Sequence, residues 1–445
     1  MFKKVLIANR GEIALRVMRT CKELGIKTVA IHSDVDAEAM HVKLADESVC
    51  IGPGSPKLSY LNIVAILSAA EVTGADAIHP GYGFLSENET FADICQKCGI
   101  TFIGPSLENM RRMGNKIHAK EIMRNGGVPC LPGSRTPLNS IEEAKNIAKQ
   151  IEYPVIFKAS GGGGGRGMAI VEEPSEIESS FWRVKAEAEA AFGDGRIYLE
   201  RFLTNPRHIE IQVLCDQHGN QIHLGERDCT LQRRHQKVLE EATCPYIGEE
   251  MRAKMIDAAL GAAEEVQYQN VGTIEFLVEN NEFYFMEMNT RIQVEHTVTE
   301  MVTGIDIIKE QILASAGYPL SIKQKDVNFR GHSIQCRINA EDPLTFNPSP
   351  GKIGTYHPPG GYGVRVESAL YNNYTVLPHY DSLIAKLIVH AETRQEAINR
   401  MQRALDEFII NGISTNISFH QKLLKHPAFH EGGYNTRFLE TTFNS

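Results

Sequence analysis

The stretch PVIFKASGGGGGRGM, residues 154–168, places five consecutive glycines between two apolar runs. Glycine loses more conformational freedom on folding than any other residue, so a run of five requires an explanation. A flexible linker is one alternative, but linkers usually join domains, whereas this run lies inside a predicted strand-loop-strand unit. Backbone amides without a neighbouring Cβ can approach a polyanion closely. With Lys158 at the end of the first strand, the pattern predicts a flap over phosphate groups, although it lacks the GxxxxGK[ST] order of a P-loop.

Outward from the glycines, the hydrophobic pattern predicts a mixed α/β protein, with α+β character in part. Short apolar strands alternate with amphipathic helices before residue 103, as in a doubly wound sheet. The first loop, Asn9-Arg10-Gly11, lacks the dinucleotide fingerprint, so NAD binding is not predicted. We expect an N-terminal α/β domain over 1–103, a helical linker over 104–130, a lid unit over 131–203, a core over 204–330 and a C-terminal domain over 331–445.

Composition narrows the class of partner. The 445 residues are 42% apolar and carry a formal charge of -9, which gives no basic surface for a nucleic acid or an anionic membrane. The sequence contains no run of about 18 apolar residues, so it predicts no membrane-spanning helix. Nine cysteines, an odd number, do not resemble a secreted disulfide framework. These observations predict a cytoplasmic protein that acts on small molecules.

A second signal lies in TIEFLVENNEFYFMEMNTRIQVEH, residues 273–296. Glu275 and Glu287 stand on two apolar strands joined at Asn280-Asn281, and an unpaired buried carboxylate is costly. A two-residue turn alone would put the glutamates on opposite faces, whereas a three-residue loop or an equivalent bulge would put them on the same face. We predict the three-residue loop or such a bulge, with Asn281 in the left-handed conformation.

Oxygen ligands on one face favour a divalent cation. Asn289 follows Glu287 by two residues, so Glu275, Glu287 and Asn289 form a candidate site for Mg²⁺ or Mn²⁺. The alternative is a glutamate pair bound to lysines on a sheet surface. If the strand continues, alternation predicts one polar wall from Asn289, Arg291, Gln293 and Glu295. A similar wall, which a half-exposed strand would also show, comprises His208, Glu210 and Gln212.

Several motifs resemble those of the biotin carboxylases, a family of ATP-grasp enzymes. They occur in order along nearly the whole chain: ANRGEIA (8–14), HPGYGFLSEN (79–88), GNK (114–116), KASGGGGGRGM (158–168), RHIEIQV (207–213), ERDCTLQRRHQK (226–237), EFLVE (275–279), MEMNTRIQVEH (286–296) and QCRINAED (335–342). The resemblance implies an ATP-grasp fold with an N-terminal doubly wound α/β domain, a mobile glycine-rich lid and a C-terminal domain that completes the biotin site.

The resemblance also implies the reaction of ATP, bicarbonate and biotin to carboxybiotin, ADP and phosphate, with two Mg²⁺ ions for which Mn²⁺ can substitute. The implied ATP-binding residues are Lys116, Lys158, Gly164, Gly165, Glu200, Arg201, Phe202, Leu203, His208, Gln232, His235, Glu275, Leu277 and Glu287. The segment ERFL at 200–203 departs from the EKYL of the family. The implied metal ligands are Glu275, Glu287 and Asn289.

For the carboxylation itself, the resemblance implies four catalytic residues, Lys237, Arg291, Glu295 and Arg337, with Glu295 as the general base. The bicarbonate-binding set would be Lys237, Arg291, Gln293, Val294, Glu295 and Arg337. Tyr82 and Arg337 would contact biotin.

The chain has no AMKM carrier motif and little room for a carboxyltransferase domain. We therefore expect a free-standing subunit that acts on a biotin carboxyl carrier protein and works with the carboxyltransferase subunits of acetyl-CoA carboxylase in fatty acid synthesis. Members of the family commonly form homodimers. Two rivals remain: another ATP-grasp ligase, such as a carbamoyl-phosphate synthase-like enzyme, and a catalytically silent nucleotide sensor. Arg291, Glu295 and Arg337 argue against the first, and the intact lysines and glutamates argue against the second.

Overall fold

The computed structural model describes residues 1–114, 116–160, 167–441 and 443. Its N-terminal part is a parallel sheet with helices on both faces. The elements in chain order are β1 (Lys4–Ile7), α1 (Gly11–Glu23), β2 (Lys27–His32), α2 (Met40–Leu44), β3 (Glu47–Cys50), α3 (Ile63–Thr73), β4 (Ala77–His79), α4 (Glu89–Lys97) and β5 (Thr101–Phe102). The strand order is β3-β2-β1-β4-β5.

Two apolar cores cover the two faces of this sheet. Val5 and Ile7 of β1 pack into the core that contains the α1 side chains, whereas Leu6 and Ala8 pack into the core that contains Ile66 of α3. Both faces of a parallel strand are therefore buried, which explains the continuous apolar run at its sequence position. The predicted doubly wound arrangement is confirmed.

The glycine-rich segment belongs to a small unit with its own sheet. Two helices precede this unit, α5 (Leu107–Gly114) and α6 (Lys116–Asn125), and they pack into the apolar core that contains Ile211 and Phe276. The unit itself comprises α7 (Ile141–Ile151), β6 (Val155–Ala159), β7 (Met168–Val171), α8 (Ile177–Phe192) and β8 (Ile197–Arg201). The order is β7-β6-β8, and all pairs are antiparallel. Lys158 lies opposite Met168, so the glycine run joins two paired strands, as predicted.

The largest sheet has eight antiparallel strands. The elements over residues 207–315 are β9 (Arg207–Cys215), β10 (Gln221–Arg233), β11 (Gln236–Ala242), α9 (Glu249–Glu265), β12 (Asn270–Glu279), β13 (Glu282–Asn289), α10 (His296–Thr303) and α11 (Ile307–Ser315). Those that follow are β14 (His332–Asn339), β15 (Gly351–Lys352), β16 (Tyr356–His357), β17 (Val364–Ser368), β18 (Thr375–Val376), β19 (Leu383–Ala391), α12 (Arg394–Glu407), β20 (Ile409–Ile410), α13 (Ile417–Lys425), α14 (Pro427–Glu431) and α15 (Phe438–Thr441).

The order of this sheet is β13-β12-β9-β10-β11-β14-β19-β17. It runs without interruption from the segment 204–330 into the segment 331–445, because β11 pairs with β14 from Leu239↔Cys336 to Ala242↔Ser333. The sheet therefore places residues that are far apart in sequence on one continuous surface.

The two faces of β9 explain how this sheet builds a site. Ile209, Ile211 and Val213 pack into an apolar core with residues of α9. The alternate residues His208, Glu210 and Gln212 are also buried, with exposed fractions of 4%, 0% and 0%. Charged groups buried this deeply require partners, so this face is a buried polar layer and not a solvated surface.

Candidate active site

A cleft of about 1720 Å³ opens between the eight-stranded sheet, the three-stranded sheet and two loops that contain Tyr82 and Tyr380. Every predicted site residue whose side chain is described lines this cleft. They are Tyr82, Lys158, Glu200, Arg201, Phe202, Leu203, His208, Gln232, His235, Lys237, Glu275, Leu277, Glu287, Asn289, Arg291, Gln293, Val294, Glu295 and Arg337. Gly164, Gly165 and the side chain of Lys116 lie outside the described residues.

The β12–β13 hairpin brings the two predicted metal-binding glutamates together. Its turn has two residues, Asn280 and Asn281, with φ of 51° and 65°, so the three-residue loop is wrong and the left-handed conformation of Asn281 is confirmed. A bulge beside Glu275 then shifts the register, which changes from Phe276↔Phe285 to Glu275↔Glu287. The two glutamates consequently lie directly opposite each other on one face, as the bulge alternative predicts.

Beyond Asn289, the strand-like conformation on which the predicted polar wall was conditional does not continue. Strand β13 ends at Asn289, and the chain turns through Gln293 and Val294 into α10, with Glu295 as its N-cap residue. The polar side chains of this segment nevertheless line the same cleft. The turn after β13 therefore places Arg291, Gln293 and Glu295 in the cleft wall, where strict strand alternation would also have placed them.

Glu275 is bonded by several side chains of the cleft. Its Oε1 accepts hydrogen bonds from Lys237 Nζ at 2.9 Å and from the amides of Asn289 and Gln293 at 2.8 Å each. His208 Nε2 lies 3.0 Å from Oε2. Burial alone would raise the pKa of Glu275, but Lys237 and His208 outweigh it and hold that pKa well below its ordinary value. Glu275 is therefore an anion at neutral pH.

Lys237 joins three carboxylates at one point. Its ammonium donates to Glu210 at 2.6 Å, to Glu275 at 2.9 Å and to Glu295 at 2.7 Å. Burial would lower the pKa of Lys237, but the three anions raise it well above its ordinary value. This lysine stays charged, and it is the common centre of the cation–carboxylate network.

Arg337, on β14, contacts the carboxylate oxygen of Glu295 that Lys237 does not contact. Its Nη2 donates to Glu295 Oε2 at 2.9 Å, and its Nε donates to Glu240. Burial opposes the ionisation of Glu295, but Lys237 and Arg337 lower the pKa of that carboxyl below its ordinary value. Glu240 is buried behind Arg337, and this burial raises the pKa of Glu240.

Arg227, on β10, contacts the network through Glu210 and Gln293. This guanidinium is fully buried and donates to Glu210, to Gln212 at 2.8 Å and to Gln293 at 2.8 Å. Neither Arg227 nor Glu240 was predicted as a functional residue, although Arg227 lies in the ERDCTLQRRHQK motif. We refer to Glu210, Arg227, Lys237, Glu240, Glu275, Glu295 and Arg337 as the inner cluster.

A second charged group faces the same cleft from the three-stranded sheet. Glu200 accepts hydrogen bonds from Lys158 at 2.8 Å and from Lys120, a residue that sequence reasoning did not identify. Burial opposes the ionisation of Glu200, but the two lysines lower the pKa of this carboxyl to about 2. We refer to Lys120, Lys158 and Glu200 as the outer cluster.

A loop residue outside the cleft lining holds Arg291, which lines the cleft. Glu87, from the HPGYGFLSEN motif, accepts a hydrogen bond from Arg291 Nε at 3.0 Å, and Arg291 Nη2 donates to Asn289 Oδ1 at 3.0 Å. His208 is oriented by Gln232, whose Nε2 lies 2.6 Å from the His208 Nδ1. The guanidinium of Arg291 is thus held at the cleft wall between an N-terminal loop and the hairpin.

The fold and this cleft define the chain as an ATP-grasp enzyme. Three family models match in succession: "Biotin carboxylase, N-terminal domain" over residues 1–110, "Carbamoyl-phosphate synthase L chain, ATP binding domain" over 115–323, and "Biotin carboxylase C-terminal domain" over 335–441. The chain is 58% identical over 441 residues to the biotin carboxylase of Haemophilus influenzae, and the aligned region covers 99% of this chain and 98% of that protein. The chain belongs to the biotin carboxylase family.

Solved structures agree with this assignment. A biotin carboxylase complex from Campylobacter jejuni is 52% identical, with a TM-score of 0.95 and coverage of 99% of both chains. The biotin carboxylase domain dimer of 2-oxoglutarate carboxylase from Hydrogenobacter thermophilus, in complex with MgADP, ADP and bicarbonate, is 51% identical, with a TM-score of 0.92 and coverage of 99% of this chain and 97% of that one. Within the described residues, none of the helices combines the length and apolarity that a membrane crossing requires.

Proposed function

We propose that the chain catalyses the ATP-dependent carboxylation of biotin by bicarbonate. The observation that carries this proposal is the arrangement around Glu295, which Lys237 and Arg337 contact from two sides in the same cleft as the paired glutamates of the hairpin. One wall thus offers a base, two cations and an anionic pair within reach of one another. That combination suits the activation of a small oxyanion by a nucleotide triphosphate.

The donor set of the hairpin fits a divalent cation. Glu275 and Glu287 are directly opposed on one face, and Asn289 adds a side-chain amide to the same cleft. Carboxylate and amide oxygens are the ligands that Mg²⁺ and Mn²⁺ accept in phosphate-binding sites. We infer that these three residues hold the two Mg²⁺ ions of the reaction, which supply positive charge to the ATP phosphates. Lys116, Lys158, Gly164 and Gly165 are proposed to contact the phosphates, and residues 200–203 the adenine end.

Bicarbonate is proposed to bind between Lys237, Arg291 and Arg337, close to Val294 and Gln293. The anion would share the cations that now hold Glu295. Sharing them weakens their hold on this carboxylate and makes it a stronger base, so Glu295 can remove the bicarbonate proton as the oxygen attacks the γ-phosphorus of ATP. The products of that step are carboxyphosphate and ADP.

Biotin is proposed to lie beside Tyr82 with its ureido carbonyl toward Arg337. In the mechanism that the family resemblance implies, carboxyphosphate decomposes to CO₂ and phosphate, and the phosphate removes the N1′ proton of biotin. Arg337 neutralises the resulting enolate oxygen, and N1′ attacks CO₂. This sequence requires that water be excluded from the cleft, because carboxyphosphate reacts readily with water.

The test is the ATP-dependent transfer of labelled bicarbonate to biotin by the wild type, Glu295→Ala and Arg337→Ala. We expect both variants to lose at least about 100-fold in carboxylation, the scale of a general base or an anion-stabilising donor. Arg337→Ala should retain more of the bicarbonate-dependent ATP hydrolysis, because Arg337 is assigned mainly to biotin. Wild-type rates in both variants would refute these roles, and ATP hydrolysis without biotin stimulation would favour a carbamoyl-phosphate synthase-like ligase.

We also propose an oligomeric state and partner proteins for the chain. The dimer named for the Hydrogenobacter thermophilus relative supports a homodimer. A biotin carboxyl carrier protein is the proposed source of biotin, and the carboxyltransferase subunits of a cytoplasmic acetyl-CoA carboxylase are the proposed partners in fatty acid synthesis. One relative is the biotin carboxylase domain of a 2-oxoglutarate carboxylase. The competing proposal is therefore that the carboxyl group passes to an acceptor other than acetyl-CoA. Co-purification of the chain with each carrier protein of its host would distinguish them.

A further inference from the structure

The ANRGEIA motif at residues 8–14 lies at the cleft but has no role in the reaction as proposed. Asn9 Nδ2 donates to the carbonyl oxygens of Pro80 and Tyr82, at 2.7 Å each. Gly11, at the start of α1, has a φ of +67°, a conformation that favours glycine. The motif therefore fixes the backbone on both sides of Gly81 and then directs the next residue, Glu12, toward the same loop.

Glu12 is contacted by both Tyr82 and Lys386 through a single oxygen. The Tyr82 hydroxyl donates to Glu12 Oε1, and Lys386 Nζ lies 3.2 Å from the same atom. The Glu12 side chain is 4% exposed and that of Lys386 is 0% exposed. A lysine and a glutamate are rarely buried this completely unless they are paired.

Lys386 also contacts the segment assigned to bicarbonate. Its Nζ donates to the carbonyl oxygen of Val294 at 3.0 Å. Three parts of the sequence thus meet at one ammonium: α1, strand β19 and the turn that precedes α10. The resulting chain of contacts runs from Tyr82 through Glu12 and Lys386 to Val294, and both of its ends line the cleft.

A purely structural ion pair elsewhere in the molecule provides a contrast. Arg394 of α12 donates to both oxygens of Glu241, at 2.7 and 2.9 Å, and the Glu241 side chain is 1% exposed. Neither residue is among those that line the cleft. A pair of this kind can join α12 to β11 without orienting any group in the site.

We propose that Lys386 and Glu12 are positioning residues that set the distance between the Val294–Glu295 turn and the Tyr82 ring. The proposal rests on the proposed function, because it assigns bicarbonate to one end of this contact chain and biotin to the other. Loss of Lys386 frees the Val294 carbonyl and leaves Glu12 without its cation. Loss of the Glu12 charge weakens the hold on the Tyr82 hydroxyl and leaves Lys386 bound to Val294.

The test compares Lys386→Met, Glu12→Gln and the control Arg394→Met in steady-state assays with varied bicarbonate and varied free biotin. Loss of a charge-assisted hydrogen bond to a buried group weakens binding by roughly tenfold or more. We expect Lys386→Met to raise the bicarbonate KM about tenfold, more than it raises the biotin KM. Glu12→Gln should show the reverse order, and Lys386→Arg should recover part of the bicarbonate KM. Arg394→Met should lower the melting temperature without changing either KM.

A double-mutant cycle covers the case in which Lys386→Met does not fold. Tyr82→Phe removes the donor of the Tyr82–Glu12 hydrogen bond, and Glu12→Gln removes the charge of its acceptor. Both changes therefore act on one contact, and the double variant should raise the biotin KM no further than the larger single change does. Fully additive effects would overturn the proposal, and so would unchanged KM values in Lys386→Met with a lowered melting temperature. If the wild type shows no biotin-stimulated turnover, the proposed function fails. Crystal structures of the variants still test the positioning, because an unmoved Val294 carbonyl and Tyr82 ring would refute it.

Discussion

The inner and outer clusters face one cleft but differ in charge balance and in burial. The inner cluster combines three cations with four carboxyl groups, and its members on β9 and β10, Glu210 and Arg227, are fully buried. The outer cluster has two lysines on one carboxylate, and the Lys158 side chain is 36% exposed. The inner cluster therefore has one more carboxyl group than cations, whereas the outer cluster has one more cation than carboxyl groups.

This difference agrees with the orientation proposed above for a nucleotide–metal complex. Excess carboxylate beside the hairpin suits divalent cations, and excess ammonium at the opposite side suits phosphate oxygens. The interlocked hydrogen bonds of the inner cluster also make every member dependent on the others, since removing one partner leaves a buried charge uncompensated. The outer cluster can lose Lys158 at lower cost in stability, because water reaches that side chain and Lys120 still pairs with Glu200.

The largest effect is expected for Lys237→Met, which leaves three buried carboxylates without their shared cation. We expect the free energy of unfolding to fall by about 3–5 kcal/mol, the range for breaking a buried ion pair. Urea denaturation followed by circular dichroism measures this. Lys254→Met, which removes an exposed pair with Glu250, should leave the free energy of unfolding unchanged within error. Equal effects of the two variants would remove the distinction between the clusters.

Lys158→Met tests the outer cluster as a phosphate contact. We expect the KM for ATP to rise by about 10- to 100-fold, as for a lost charge-assisted hydrogen bond, with a stability change below about 1 kcal/mol. Lys145→Met, in the same small unit, removes an exposed pair with Glu178 and is the matched control. A loss of stability without a change in the ATP KM would show that Lys158 is only structural.

The acid response of Glu200 should also separate the clusters. Because the pKa of Glu200 in the folded protein is about 2, below the ordinary value of about 4.3, its ion pairs stabilise the fold above about pH 4.3. This stabilisation is lost as the pH falls toward 2. The difference in melting temperature between the wild type and Glu200→Gln should therefore shrink from pH 5 to pH 3. A constant difference would mean that ionisation of Glu200 adds nothing to stability.

The smallest effect is expected at the hairpin turn that aligns the inner cluster. Asn281 has a φ of 65°, and alanine in this conformation costs about 1 kcal/mol. Asn281→Ala should lower the unfolding free energy by that amount in urea titrations, and Asn281→Gly should not. If alanine is tolerated as well as glycine, the turn geometry does not determine the register of Glu275 and Glu287.

The hairpin also shows where sequence reasoning ends. Its strands, its burial and the left-handed Asn281 follow from local composition, and the glutamates had to share a face if they share an ion. The sequence alone left a three-residue loop and a bulge open. The bulge at Glu275 is stabilised by pairing along the whole ribbon, including the contacts of β12 with β9. No local residue signals such a bulge.

The supporting charges were missed for a related reason. Alternation on β9 predicts which residues share a face, but a buried polar face and a solvated one give the same pattern. Glu240, Arg227 and Lys120 become recognisable only when the fold brings their partners within hydrogen-bonding distance. Residues to which the family resemblance gives a role were predicted, whereas residues that only hold those in place were not, even where they lie in a motif, as Arg227 does.

The ladder between β11 and β14 has a consequence for protein engineering. Sequence-based boundaries separate residues 330 and 331, yet strands on the two sides of that point are hydrogen-bonded neighbours in a single sheet. A gene split or a chimeric junction there would leave two open edges with unpaired amides and carbonyls, a template for self-association. A fragment beginning at residue 331 is thus expected to aggregate unless it is co-expressed with its complement.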